Sequence, residues 1–549
     1  MPQNFAELSE SILKSYLEMH PGVARYYIGL HEYDGKMPDF SRQGIETWLA
    51  TARQQLADLN SLDPAALTAQ EKFDVDLLQH NLEAGIFELA DRREWESSPL
   101  FYAGPLALYS YLSRNYAPLE DRVAALVEQQ KQVPGFLKIA RENLKPPFSR
   151  SLLEVSLMAL QGEIRLRQTE VETISLSPHL SSELQQASAQ VNREAIAAIQ
   201  GLVDYLKEQQ AEAHDDFALG RENYEKLLRY NELLEMPLED VLAAGERNLQ
   251  ENFEAINALA KEIDPAASLS EIKARFDKQH PTNAELIPYT QGLLENIREF
   301  LVTNDLITIP NENRATVAPT PASQRWSFAS MAPSGPYETS NESYYFVTPP
   351  EDDWSPERAE DWLTVFNYGN LEDISIHEVY PGHFVHFQHI HQAPSKVTRV
   401  LLMSSPCHAE GWAHYAEQMM LEQGYGKNDP AIRLAQLTWA LVRNCRYVAS
   451  IKMHTQGMSV EEATRLFMTY AGLMEGPARA EALRGTFDPG YFSYTLGKLM
   501  FLKMREDLQK REGEKFSLKT FHDACVGNGA PPLPLLRKKL LGAESGSLL

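Results

Sequence analysis

Cysteine is scarce, with only Cys407, Cys445 and Cys525 in 549 residues. Odd in number and late in the chain, these thiols form no disulfide framework and read as the reduced cysteines of a cytoplasmic protein. No apolar run reaches the length of a membrane span. Residues 1–10 lack the basic patch and apolar core of a secretory signal. Basic residues are in deficit as well: 51 Lys and Arg against 76 Asp and Glu leave a net charge of -25. Nucleic acid and anionic membranes would repel such a chain. The expectation is a solvated acidic surface, whose field would attract cationic peptides if it attracts any ligand. Internal repeats at solenoid periods are missing too. Hydrophobic content of 43% argues against disorder, and the length exceeds what one small core holds, so two or more lobes are expected.

What the chain does have is long amphipathic helical pattern. Leu8, Ile12, Leu13, Tyr16 and Leu17 share one face of a first helical segment that Pro21-Gly22 breaks. Further helices are predicted over 43–59, 71–92, 119–144, 149–172, 180–214 and 236–263. A capping-box pattern at Ser268 opens a shorter one. Between 304 and 351 the texture changes to short β-prone runs at 306–309, 315–318 and 344–348, separated by Pro, Asn, Ser and Gly. These predict a small antiparallel sheet. Helical pattern then returns over 410–423, 431–457, 460–473 and 491–510. The fold class is mainly α, cut into an amino-terminal helical lobe, 1–305, and a metal-binding lobe with the sheet, 306–549.

The chemistry concentrates in His377-Glu378-Val379-Tyr380-Pro381-Gly382-His383 and Glu410-Gly411-Trp412-Ala413-His414-Tyr415. Two imidazoles and two carboxylates are the inventory of a catalytic zinc site. The spacing is unusual, because histidines that share a metal on one helix stand four apart. Six positions on a regular helix would set the rings about 120° apart around the axis and about 9 Å apart along it. Pro381 withdraws a backbone donor and disfavours helix at Tyr380, and Gly382 permits unusual backbone paths. A bulge or short loop there would swing His383 back beside His377.

These motifs resemble those of the bacterial domain of unknown function 885, whose members carry H-E-x-x-P-G-H followed by E-G-W-A-x-Y. His20-Pro21-Gly22, Gly29-Leu30-His31, Tyr33-Asp34 and Met37-Pro38-Asp39 are similar to that family's amino-terminal pattern. The family is grouped with gluzincin metallopeptidases, which implies a zincin-like zinc hydrolase without naming its substrate. Some relatives carry a lipoprotein signal, which is not expected here. In gluzincins the sheet lies beside the metal helix, so the resemblance implies that the edge at 343–348 pairs with an extended substrate; a purely structural sheet is the alternative.

A catalytic zinc takes three protein ligands and leaves one position open. His377, His383 and Glu410 supply that set, and Glu378 is placed as general base. His386 is the substitute ligand, Glu417 competes with Glu410, and Asp373 is a candidate to orient a ligand imidazole. Manganese or cobalt would fit the same donors. The resemblance extends to Arg446, His454, Tyr494 and Gly497. It implies Tyr494 or His454 as oxyanion donor and Arg446, with Tyr491, in substrate binding; buried, internally satisfied roles are the alternatives. The expected reaction is hydrolysis of peptide bonds in short peptides. Its rivals are an amidohydrolase acting on N-acylated amino acids or small amides and a non-catalytic helical binding protein with a relict metal site.

Overall fold

Helices begin where the sequence supplies capping oxygen. Ser41 accepts from Gly44 N–H to start Arg42–Asn60, and reciprocal capping boxes open Ala69–Ile86 at Thr68/Glu71 and Leu269–Asp277 at Ser268/Glu271. The expected long segments follow as Leu119–Asn143, Ser182–Glu208, Leu238–Ile263, Pro430–Thr455 and Ser493–Glu512. Several helices have no counterpart in the pattern reading, among them Arg221–Glu232, Asn283–Thr303 and Glu475–Phe487. Pro288 and Gly292 interrupt Asn283–Thr303, and Gly476-Pro477 and Gly485 interrupt Glu475–Phe487, residues that signal a break when read locally. This computed structural model describes residues 4–321, 325, 327–351, 353–427, 429–542 and 546–549. Residues 1–3, part of the stretch read above for a signal, and 322–324 and 326, in the strand-prone segment, lie outside the described residues.

Packing joins the two halves. The largest core runs from Tyr224, Leu249 and Leu294 through Ile376 and Trp412 to Leu536, so it crosses the 305/306 cut. Leu238–Ile263 lies against Pro430–Thr455, where a Cβ on Gly245 would stand 2.1 Å from the Tyr447 ring. That ring is buried, and its hydroxyl donates to Val241 O at 2.7 Å. A second core packs the amino-terminal helices among themselves around Tyr102, Phe136 and Ile199. A third sets Leu8, Ile12, Leu78 and Leu82 against Phe387, Ile390 and Val400, so the first helices cover the helix that begins at His383.

The sheet corrects the prediction. It has three strands, β1 (Ala315–Pro319), β2 (Ala329–Ala332) and β3 (Ser343–Val347), in the order β1-β3-β2. β3 pairs antiparallel with β2 but parallel with β1, so the sheet is mixed. The reason is insertion: β3 takes the place between β1 and β2, and runs in the direction of β1. With both of its edges paired, β3 offers no free edge at 343–348 for an extended ligand, against the expectation above. The run at 306–309 is not a strand. Its backbone is bound by side chains instead, with Leu306 O accepting from His522 Nδ1 at 2.7 Å and Thr308 N–H donating to Asp523 Oδ1 at 2.8 Å.

The amino-terminal pattern meets the sheet at close quarters. Gly29 has φ 81°, and a Cβ there would lie 2.5 Å from Glu338 N; on the facing loop a Cβ at Gly335 would lie 2.5 Å from the Ile28 carbonyl carbon. This approach lets His31 bridge the halves, with Nδ1 3.2 Å from Asp34 Oδ2 and Nε2 3.0 Å from Glu338 Oε2. Its ring stacks on Tyr116, centroids 3.6 Å apart, whose hydroxyl donates to Asp34 Oδ2. Burial opposes charge on the imidazole, but hydrogen bonds to Asp34 and Glu338 and their charges outweigh it and push its pKa up to about 9. A folded value above the ordinary 6.5 contributes stability that is complete below about pH 6.5 and is lost as pH rises through about 9. Between pH 7 and 10, urea unfolding should therefore show the unsubstituted chain losing about 1 kcal/mol more than His31→Gln, the small size reflecting solvent screening of a partly exposed group. Parallel losses in the two proteins would exclude the clamp.

Candidate metal centre

The helix Tyr368–Glu378 is capped by Asn367, which accepts from Asn370 N–H at 2.9 Å, and it stops one residue after His377. Its last turn closes on side-chain-free backbone. Val379 and Tyr380 N–H both donate to Ser375 O, at 2.9 and 3.2 Å, and Gly382 N–H donates to Ile376 O at 3.0 Å. The Tyr380–Pro381 peptide is cis. A Cβ on Gly382 would stand 1.7 Å from His377 O, so only glycine lets the chain fold back against the helix end. His383 then opens a second helix, His383–Ile390. The expected distortion is a short loop between two helices, and it turns the histidine rings together, with centroids 4.9 Å apart at 87°.

Glu410 arrives on the helix Pro406–Glu422, which starts at the Ser405 cap. The buried carboxylate of Glu232 also accepts from Cys407 N–H there, at 3.1 Å. Two neighbours of Glu410 fix the approach. Trp412 Nε1–H donates to Pro381 O at 2.9 Å, which ties this helix to the loop between the histidines. Gly411 faces Gly497 on the helix Ser493–Glu512, where a Cβ on Gly497 would lie 1.9 Å from Cys407 O. The two helices touch backbone to backbone, and that contact brings Tyr494 to the site.

Three ligand atoms converge, those of His377, His383 and Glu410, all within 4.8 Å of one another. Glu410 Oε2 lies 3.4 Å from His377 Nε2 and 3.4 Å from His383 Nε2, yet this buried oxygen has no hydrogen-bond partner among the described residues. An orphaned carboxylate oxygen between two imidazoles is what a shared cation would satisfy. The donor set, two nitrogens and one oxygen, suits zinc. Burial by itself would raise the Glu410 carboxyl, but the two imidazoles at its edge hold it well below the usual carboxylate range. Glu378 lies next to His377 in the chain and is half-buried.

Behind the cluster stands a buried carboxylate with every oxygen engaged. Glu417 accepts from His377 Nδ1–H at 2.6 Å, from His414 Nδ1–H at 2.9 Å and from Arg443 Nη1–H at 3.1 Å. Because it binds Nδ1, it leaves His377 Nε2 directed at Glu410. Glu417 thus orients a ligand imidazole rather than joining the ligand atoms. Burial and the Arg443 charge oppose a proton on His377, but Glu410 and Glu417 prevail and push its pKa up to about 9. Asp373, one helical turn before His377, is buried with Oδ2 unpartnered; burial and the Glu417 charge raise it well above the usual range.

The remaining candidates are distributed unevenly. Tyr494 stacks on His377 with centroids 6.3 Å apart. Arg446 reaches the same tyrosine, 5.2 Å from its ring, but both ends of its guanidinium are held by Glu481 at 2.7 Å, so it has no free fork for a substrate. Tyr491 is buried with its hydroxyl unpartnered and Arg484 5.8 Å from its ring. His454 is not brought to the cluster: Nδ1 accepts from Leu219 N–H at 3.3 Å and Nε2–H donates to Gly485 O at 2.8 Å. Backbone on both sides makes it an internally satisfied histidine. His386, the substitute ligand, likewise donates to Gly529 O at 2.9 Å and stacks on His408. Sequence reasoning gave no role to Arg443, His414 or Trp412. The seven-residue interval from Glu410 to Glu417, two turns of one helix, was the available signal for His414; Arg443 comes from the separate helix Pro430–Thr455.

A family model described as "Bacterial protein of unknown function (DUF885)" matches residues 23–540. Among solved structures, a "putative lipoprotein of unknown function" from Shewanella oneidensis is similar at 24% identity and a TM-score of 0.82, covering 98% of this chain and 100% of that one. A "putative lipoprotein" from Colwellia psychrerythraea is similar at 16% identity and a TM-score of 0.81, covering 98% and 99%. Both likenesses concern the fold. No curated protein matches the chain. No described helix is long and apolar enough to cross a membrane.

Removing the carboxylate behind His377 should loosen any cation held in front of it. Glu417→Ala is expected to weaken zinc binding about 10- to 100-fold, read by competition with a chromophoric chelator. An unchanged affinity in a folded variant would show that the His377 ring needs no such support.

Proposed function

The chain belongs to the DUF885 family, and we propose that it is a zinc-dependent hydrolase with a zincin-like catalytic half, cleaving peptide bonds in short peptides. The observation that carries this reading is the orphaned Glu410 Oε2, 3.4 Å from an imidazole nitrogen on either side. The packing of the His377 helix on the sheet, where Tyr345 and Ser375 hydroxyls meet at 3.3 Å, supports the zincin-like assignment. Three buried free thiols support a cytoplasmic setting.

His377, His383 and Glu410 would hold the ion. Zinc there supplies a water acidic enough to attack at neutral pH and a Lewis acid for the substrate carbonyl. Glu378, adjacent to a ligand and half-buried, accepts the proton of the attacking water and passes it to the leaving amine. Tyr494 donates to the oxyanion. Burial and the Glu410 charge raise its pKa, so the phenol keeps its proton and can act as a donor. Glu417 and Arg443 keep His377 in one orientation throughout.

The test compares variants loaded with equal zinc on a panel of short peptides and N-acylated amino acids. Glu378→Gln should lower turnover by about 10²- to 10⁴-fold with one zinc per chain retained, and Tyr494→Phe by about 10²- to 10³-fold. Turnover that survives in Glu378→Gln removes the proton shuttle. A gently purified chain that carries and takes up no stoichiometric metal removes the whole reading in favour of a relict site.

A further inference from the structure

Lys498 is the only buried lysine among the described residues, and its Nζ has no hydrogen-bond partner there. An ammonium taken out of water and held by no acceptor is costly, so a fold that keeps one has a use for its charge. The packing of its helix shows where that charge lies. Ser493–Glu512 runs parallel to Pro406–Glu422: Gly497 meets Cys407 and Gly411, the Phe501 ring meets those of Trp412 and Tyr415 at 5.7 and 5.9 Å, and Arg505 reaches Glu422 at 2.8 Å. A Cβ on Gly411 would lie 3.0 Å from Lys498 N. Tyr494 and Lys498, one turn apart, share one side of this contact. That side faces the metal cluster, because the Tyr494 ring lies against His377 and has Arg443 at 5.6 Å. Thr495 marks the same direction, with Oγ1 3.5 Å from Nδ2 of Asn444, the residue after Arg443.

Lys498 therefore stands behind Glu417, on the far side of that carboxylate from His377. Charged and titratable groups face it from each neighbouring helix: Glu417, Glu422 and His414 from Pro406–Glu422, Arg443 from Pro430–Thr455 and Glu251 from Leu238–Ile263, with His377 and Asp373 beyond Glu417. The neutral polar groups of this layer are taken up with one another, since Asn444 bonds Asn252 at 2.7 Å and Asn248 at 2.9 Å. His414 adds no charge: burial and the Lys498 ammonium lower it to about 3, and its neutral ring donates Nδ1–H to Glu417. Two cations, Arg443 and Lys498, are thus left to act on the one carboxylate that orients a ligand imidazole.

We propose that Lys498 is a positioning residue for the metal centre, whose charge acts through Glu417 on the His377 imidazole and sets how tightly an ion is held in front of it. The proposal rests on the zinc site of the hydrolase reading above and adds the group that tunes it. A carboxylate on Nδ1–H makes the opposite ring nitrogen a stronger ligand. A cation behind that carboxylate weakens this support and also repels a dication directly. Burial lowers the Lys498 ammonium to about 8, although the Glu417 charge favours it, so the positive charge is full at lower pH and is lost above that value. The site is then weakest for zinc where Lys498 is charged and tightens as it becomes neutral.

The experiment measures zinc affinity in the full-length chain and in Lys498→Met, Lys498→Gln and Lys498→Arg by competition with a chromophoric chelator. Affinities are compared as ratios at each pH, in which the titration of the chelator cancels. At about pH 6.5 the two neutral variants are expected to bind zinc about 3- to 10-fold more tightly than the unsubstituted chain, and by about pH 9.5 the difference should close as Lys498 loses its proton. Lys498→Arg, which keeps its charge, should match the unsubstituted chain at the lower pH and bind about 3- to 10-fold more weakly at the higher one. A side chain that only filled space would change affinity equally at both. Neutral variants within about twofold of the unsubstituted chain throughout, or a ratio that does not move with pH, overturn the proposal. If neither neutral variant folds, an arginine variant with unaltered affinity at the higher pH does so. Failure of every one of these proteins to take up zinc removes the metal reading and this proposal together, whereas zinc uptake with a flat ratio removes only the role of Lys498.

Discussion

At Gly382 the chain folds back on the carbonyl of His377 more closely than any side chain would allow. Everything at the centre depends on that contact. It ends one helix just after the first histidine and starts another at the second, so that a six-residue interval does what a four-residue interval does on a continuous helix. The arrangement needs an external brace, since a four-residue loop with few internal hydrogen bonds would otherwise be free to move. Trp412 provides it through Pro381 O, and Trp412 sits two residues beyond Glu410. The third candidate ligand is thereby registered against the loop that separates the other two.

A second constraint is electrostatic. Glu417 is buried and ionised, which is tolerable only because two imidazoles and a guanidinium surround it. Burial would raise its pKa; Arg443, His414 and His377 together hold it far below the usual range. A carboxylate pinned this way cannot swing out to replace Glu410, and it fixes which nitrogen of His377 faces forward. The backbone contact of Gly411 with Gly497 acts in the same direction, bringing the Tyr494 ring against His377. Orientation at this site is therefore set by groups that supply no ligand atom themselves.

How much of this was legible varied with range. Long helices and their starts were readable because period and caps are local, as the box at Ser268 illustrates. The loop at Pro381-Gly382 was readable for the same reason, since two adjacent residues encode it. Strand order was not: that β3 enters between β1 and β2 depends on pairing across a connection, and nothing within 343–348 distinguishes a central strand from an edge. His454 and Arg446 show the converse limit. Their residue types suit catalysis, but Gly485 O and Glu481 engage them first, and those partners lie 31 and 35 residues away. A side chain's availability is decided by whatever else the fold places beside it.

Pairing also organises the half that carries the candidate ligand atoms. The ligand atoms and their supports lie within 377–443, a stretch that packs on itself and on the sheet. Polar groups in and around it are mutually neutralising: Glu417 against Arg443, Glu481 against Arg446, Asp488 against Arg484. Such pairing holds the candidate ligand atoms in place. The contact of Gly29 with the 335–338 loop extends that order to the amino-terminal helices: it fixes their distance from the half that carries the candidate ligand atoms.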